Sequence, residues 1–127
     1  MLDKIKNKVA PQNIVDAFKA LYQEGRFDDI LSPKYSQLIK LYPNTPDLHN
    51  ILGAISFKRE NKIKAKKHFQ KVIALLPNDH HAYNNLGATL IDLEDFNGAQ
   101  NALNTAIKIY PNYAEAYNNL GNALYEI

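Results

Sequence analysis

The chain has 127 residues, 46% of them apolar and 22% charged, with a net charge of +2, a length and balance that describe one globular domain rather than a disordered segment. It has no cysteine, which excludes disulfides, a thiolate nucleophile and cysteine-ligated metals, and which fits a reducing compartment. In "MLDKIKNKVAPQ" lysines interrupt the apolar residues, so no signal peptide is read there, and no apolar run approaches the roughly 20 residues needed to cross a bilayer. The expected setting is soluble and cytoplasmic, with no membrane partner.

Residues 1–11 read as an N-terminal lead. From residue 12 the sequence repeats every 34 residues. The first unit, 12–45, is the faintest: Val15, Phe18, Tyr22, Leu31 and Tyr35 fill its apolar columns, and Lys19 and Leu31 crowd it. The second unit, 46–79, opens with Thr45 as N-cap and Pro46 at the first helical position, where a missing N–H costs nothing. His49, Leu52, Gly53 and Ser56 then share one helical face, and Phe69, Val72, Ile73 and Leu76 form the apolar stripe of a second helix that Pro77 ends. The third unit, 80–113, repeats this scheme. The partial fourth, 114–127, holds one helix, whose outer side is expected to show Ala123, Tyr125 and Ile127 with nothing stacked on them.

The period is carried by Pro43, Pro77 and Pro111, by Asn44, Asn78 and Asn112, by Leu52, Leu86 and Leu120, and by Gly53, Gly87 and Gly121. Lys19 stands where the first unit would have its glycine. Ala65 and Ala99 keep the same step, and "YNNLG" is written twice, at 83–87 and 117–121. Small residues at these columns let two antiparallel helices approach closely. One such pair cannot bury its apolar face alone, so the pairs must stack into an all-α solenoid.

These columns resemble the tetratricopeptide repeat (TPR), whose 34-residue helix-turn-helix signature has Leu-Gly in the first helix, then Ala, three residues and an aromatic, then a closing proline. His49, Leu52-Gly53, Ser56, Ala65, Phe69 and Pro77 follow it in the second unit. Tyr83, Leu86-Gly87, Leu90, Ala99, Leu103 and Pro111 follow it in the third, and the likeness covers residues 12–127. The resemblance implies a right-handed superhelix of about three and a half repeats whose first helices line a concave groove. By that resemblance Asp47, Asn50, Ala54, Phe57 and Lys58, then His81, Asn84, Ala88, Ile91 and Asp92, then Glu115, Asn118, Asn122 and Tyr125 are groove candidates. "AEAYNNLGNAL" is similar to the TPR arms of O-linked N-acetylglucosamine transferases, where an asparagine ladder precedes Leu-Gly. That adds Asn85 and Asn119, with Ile51 interrupting the ladder one unit earlier.

A primary amide offers two donors and an acceptor, so stacked amides can grip an extended peptide whatever its side chains. Core packing gives no reason for amides at these columns, because a buried amide without partners costs about 1–3 kcal/mol. Chaperone-type clamps for acidic termini present lysine and arginine from the groove, whereas these columns carry Asp47, Asn50, His81, Asn84, Glu115 and Asn118. Such a clamp is not expected here.

Candidates for chemistry are few. A metal site would need the four histidines, His49, His68, His80 and His81, to converge with a carboxylate, and adjacent His80 and His81 diverge by about 100° on a helix. Asp92, Glu94 and Asp95 read as a solvated turn. No phosphate loop, nucleophile elbow or zinc-protease motif is present, so neither an enzyme nor a cofactor or metal is expected. Residues 58–71, "KRENKIKAKKHFQK", set seven cations against Glu60, a net +6. Residues 72–127 set Lys108 against six carboxylates, a net −5. A basic patch can hold phosphate backbones, but no aromatic of this run is free to stack on a base. The opposed charges also admit head-to-tail self-association.

The reading is therefore a non-catalytic scaffold that binds a protein or extended peptide in its groove. The alternative is the substrate-presenting or oligomerising TPR arm of a larger transferase-type enzyme. Nucleic-acid binding through 58–71 comes third.

Overall fold

The computed structural model describes residues 9–127. Residues 1–8, which carry most of the expected lead and of the signal-peptide reading, lie outside the described residues. The described chain is helical, with no strand: α1 Gln12–Gln23, α2 Phe27–Ile30, α3 Pro33–Leu41, α4 Pro46–Lys58, α5 Lys62–Leu75, α6 His80–Asp92, α7 Phe96–Ile109 and α8 Ala114–Glu126. No described helix is long and apolar enough to cross a membrane.

Helix starts follow the local chemistry. Asn61, Asp79 and Asp95 cap α5, α6 and α7, their side-chain oxygens accepting from the N–H groups of Lys64, Ala82 and Gly98. Thr45 stands at the N-cap of α4, yet its hydroxyl is used elsewhere. It is buried, accepts from the Ala10 N–H at 2.8 Å and donates to the Tyr42 carbonyl at 3.1 Å, tying the segment before α1 to the start of α4. The turns inside the helix pairs place Gly25, Glu60 and Glu94 at positive φ, and the next N–H returns to the carbonyl of Leu21, Ser56 or Leu90, a left-handed C-terminal stop.

The first unit departs from the two-helix scheme. Its second helix is broken into α2 and α3 because Pro33 has no N–H to give and its ring would meet the carbonyl of Asp29; the Ser32 hydroxyl takes that carbonyl instead, at 2.6 Å. Leu31 falls at the break and is exposed. Lys19, in the glycine column, points outward and pairs with Asp47 at 3.7 Å, so it crowds nothing.

Two apolar cores hold the stack. Val15, Phe18, Ile30, Leu48 and Ile55 centre the first, where each buried large side chain contributes about 1.5–3 kcal/mol relative to exposure. Alanines dominate the second: Ala99, Ala106, Ala116 and Ala123 are buried with Leu90 and Leu103. Alanines bring α6, α7 and α8 close. A Cβ at Gly53 would lie 2.6 Å from Phe69 Cε1, and one at Gly87 would lie 2.5 Å from Leu103 Cγ, so both positions require glycine for close approach. Leu76, expected in the α5 stripe, ends that helix exposed.

Candidate functional site

The first helices of successive units, α4, α6 and α8, share one cleft of about 210 Å³. Ala54, Phe57 and Lys58 come from α4, Asn85 and Ala88 from α6, Glu115 from α8, and Phe69 of α5 completes the lining. Four of these seven side chains are apolar. The Lys58 ammonium lies 5.2 Å from the Tyr22 ring centre and 5.6 Å from that of Phe27, close enough for cation–π attraction. Lys62 pins the Phe57 ring, its ammonium 3.4 Å from the ring centre, donating to the Phe57 carbonyl and pairing with Asp92 at 3.0 Å. The cleft thus joins an apolar surface to one amide, one cation and one carboxylate.

Of the groove candidates, Ala54, Phe57, Lys58, Asn85, Ala88 and Glu115 meet in this cleft. Asn84 does not. It is 1% exposed and is committed to a chain of hydrogen bonds between units. Asn119 Nδ2 donates to Asn84 Oδ1 at 2.9 Å, Asn84 Nδ2 donates to Tyr113 Oη at 3.2 Å, and the Tyr113 hydroxyl stands 3.1 Å from His81 Nδ1. Each donor has an acceptor if that hydroxyl donates to His81. Packing does supply a reason for an amide at this column: it is buried with partners. Burial, helped by Glu115, raises the Tyr113 pKa while the bond from Asn84 opposes the rise.

Tyr113 is the residue that sequence reading missed. Its signal was in the N-cap column of Thr45, Asp79 and Tyr113, where tyrosine is a poor cap. In the same column one unit earlier, Asp79 is occupied capping its own helix. Asn50, equivalent to Asn84, keeps a buried Oδ1 with no partner among the described residues. The amides therefore do not form a uniform ladder. Asn118 and Asn122 are exposed on α8, Asp47 is paired with Lys19, and His81 is exposed beside Tyr113.

Asp92, Glu94 and Asp95 are not simply a solvated turn: Asp92 pairs with Lys62, Glu94 takes the left-handed turn position and Asp95 caps α7. His49 and His68 meet, Nδ1 to Nδ1, at 3.2 Å, and His49 Nε2 lies 2.6 Å from the Pro43 carbonyl. Because a carbonyl only accepts, His49 carries its proton on Nε2, and His68 must donate from Nδ1. Burial lowers both pKa values, that of His68 to about 4. Among the described residues no group of three or more histidines and carboxylates is placed to hold a metal ion. On α8, Ala123 is buried rather than outward, while Tyr117, Leu124 and Tyr125, and Ile127 just past its end, are large and exposed.

Helix pairs stacked in series, with first helices sharing a cleft, define a helical-repeat solenoid. Residues 89–127 match the family model described as the TPR repeat. Among solved structures, the chain is similar to the first TPR of Spaghetti (RPAP3) bound to the HSP90 peptide SRMEEVD, with a TM-score of 0.82, 20% identity, and 92% of this chain and 94% of that chain covered. It is similar to the MamA protein at a TM-score of 0.80 and 26% identity, covering 91% and 62%. It is also similar to the Sgt2 TPR domain from Aspergillus fumigatus at 0.79 and 17%, covering 94% and 81%. No curated protein matches the sequence. The described chain thus has the tetratricopeptide-repeat fold, and its residues 89–127 match the TPR repeat model.

Proposed function

We propose that the chain is a non-catalytic protein-interaction module that takes an extended peptide segment of a partner protein in the cleft between α4, α6 and α8. The cleft itself carries the proposal. Ala54, Phe57, Phe69 and Ala88 offer apolar surface to one side chain of the peptide. The Asn85 amide offers paired donor and acceptor to the peptide backbone. Lys58 and Glu115, of opposite sign, give the bound segment a direction.

A peptide-bound solved structure of this fold supports the reading. The peptide in that structure ends in acidic residues, as SRMEEVD shows. Here Glu115 and the Asn85 amide line the cleft beside four apolar side chains, so the segment taken is apolar and not acidic at its end. The test is peptide-array binding by the native chain and by Ala88→Arg and Asn85→Ala, after circular dichroism shows all three folded. Native binding should fall about tenfold or more when the arginine fills the cleft, the loss expected for blocking a buried anchor worth at least about 1.4 kcal/mol. Binding that survives Ala88→Arg, or tight binding of SRMEEVD, would sink the proposal.

A further inference from the structure

A second cavity, of about 190 Å³, lies between α3 and α5, and none of its lining residues belongs to the peptide cleft. Leu31, Ile39 and Leu52 give it an apolar lining, while Lys40, Lys64, His68 and Ser36 are its polar groups. Ion pairs of the described residues draw on Lys19, Arg26, Arg59 and Lys62. Lys40 and Lys64 therefore have no carboxylate within reach among the described residues.

The imidazole responds to that environment. After burial, the influences on His68 are His49 and Lys64, and all of them lower its pKa, with no carboxylate to offset them. Two exposed lysines and a half-buried imidazole thus line one cavity, with no carboxylate paired to either lysine among the described residues. The Ser36 hydroxyl is weakly engaged, 3.4 Å from the Leu31 carbonyl, and can turn toward a better acceptor. His68 uses Nδ1 toward His49 and has no partner at Nε2 among the described residues.

We propose that this cavity is an anion site that takes a phosphate monoester. The ester's three non-bridging oxygens match three kinds of donor, the ammonium groups of Lys40 and Lys64, the Ser36 hydroxyl and a protonated His68 Nε2. A carboxylate, with two oxygens, leaves part of that set unused. The apolar residues meet the carbon that bears the ester. Binding takes up a proton at His68, since an adjacent dianion favours the charged imidazole.

Imidazole NMR of the full chain tests this, with the His68 signal assigned by His68→Gln. Inorganic phosphate and O-phosphoserine are titrated against acetate and chloride at matched ionic strength. The expected result is a saturable rise of the His68 pKa with phosphate or its ester. Lys40→Gln and Lys64→Gln each weaken it about tenfold, the loss of one charge-assisted hydrogen bond, and Lys67→Gln, on the same helix but outside the cavity, leaves it unchanged. O-phosphoserine should bind more tightly than inorganic phosphate, whose preferential binding would overturn the assignment to a monoester. A His68 that does not move, that moves equally with acetate or chloride, or that is as sensitive to Lys67→Gln as to Lys64→Gln overturns the proposal.

Discussion

The same five residues, Tyr-Asn-Asn-Leu-Gly, sit at 83–87 in α6 and at 117–121 in α8, and they do different work. In α6 the first asparagine is buried between units and the glycine lies against Leu103. In α8 the tyrosine is 51% exposed, the first asparagine is exposed, and a Cβ at Gly121 would meet nothing within 4 Å. The cause is what packs next. α6 is followed by α7 and then α8, which cover it on two sides, while no described helix follows α8. A repeated phrase is therefore a repeated opportunity for packing, and each copy acquires its role from its neighbours.

The glycines give the largest test of that contrast. Gly87→Ala forces Leu103 aside and should cost about 1–3 kcal/mol, whereas Gly121→Ala meets open space and should gain up to about 1 kcal/mol from helix propensity. Thermal unfolding of the two variants should shift in opposite directions; a shared direction would show that the α8 face is covered in solution.

The asparagines come next. Asn84→Ala leaves the Tyr113 hydroxyl and the Asn119 amide short of a partner and should cost about 1–3 kcal/mol, while Asn118→Ala should stay within about 0.5 kcal/mol. A double-mutant cycle with Tyr113→Phe sharpens the comparison, because coupling between Asn84 and Tyr113 is expected only if their bond forms. Equal effects of the two alanine variants in chemical denaturation would remove the distinction between the columns.

The last test is of pH dependence and lies in the second unit. The His68 pKa is about 4 in the fold, against an ordinary 6.5. As pH falls below about 6.5 the unfolded chain takes up the proton first, so stability drops from there toward pH 4 and is full above that window. A proton on His49 would also set two N–H groups facing each other at the 3.2 Å contact. Denaturation midpoints measured across this window should fall less steeply for His68→Gln than for the native chain, and parallel slopes would count against the half-buried pair.

Much of the fold was legible because its signals are local and periodic. A step of 34 residues, prolines at helix ends and glycine with alanine at close approaches specify stacked helix pairs whatever the partner. The split of α2 from α3 at Pro33 was not anticipated, although it follows from backbone chemistry. The cleft was legible in part: Ala54, Phe57, Lys58, Asn85, Ala88 and Glu115 meet there, because helical spacing fixes which residues share a face. Asn84 was not legible as a buried group, since its burial depends on Tyr113 and Asn119, 29 and 35 residues away. Asn50, in the same column, was equally ambiguous.

By itself, then, the sequence determined the repeat, the helices and the faces they present, because those follow from short-range sterics and periodic apolar burial. Only the tertiary structure decided which amide is saturated and which is open, which lysines are paired and which face a cavity, and where two histidines meet. Those properties belong to pairs of distant side chains, and a hydrogen bond or an ion pair exists only when the fold brings both members within about 3–4 Å.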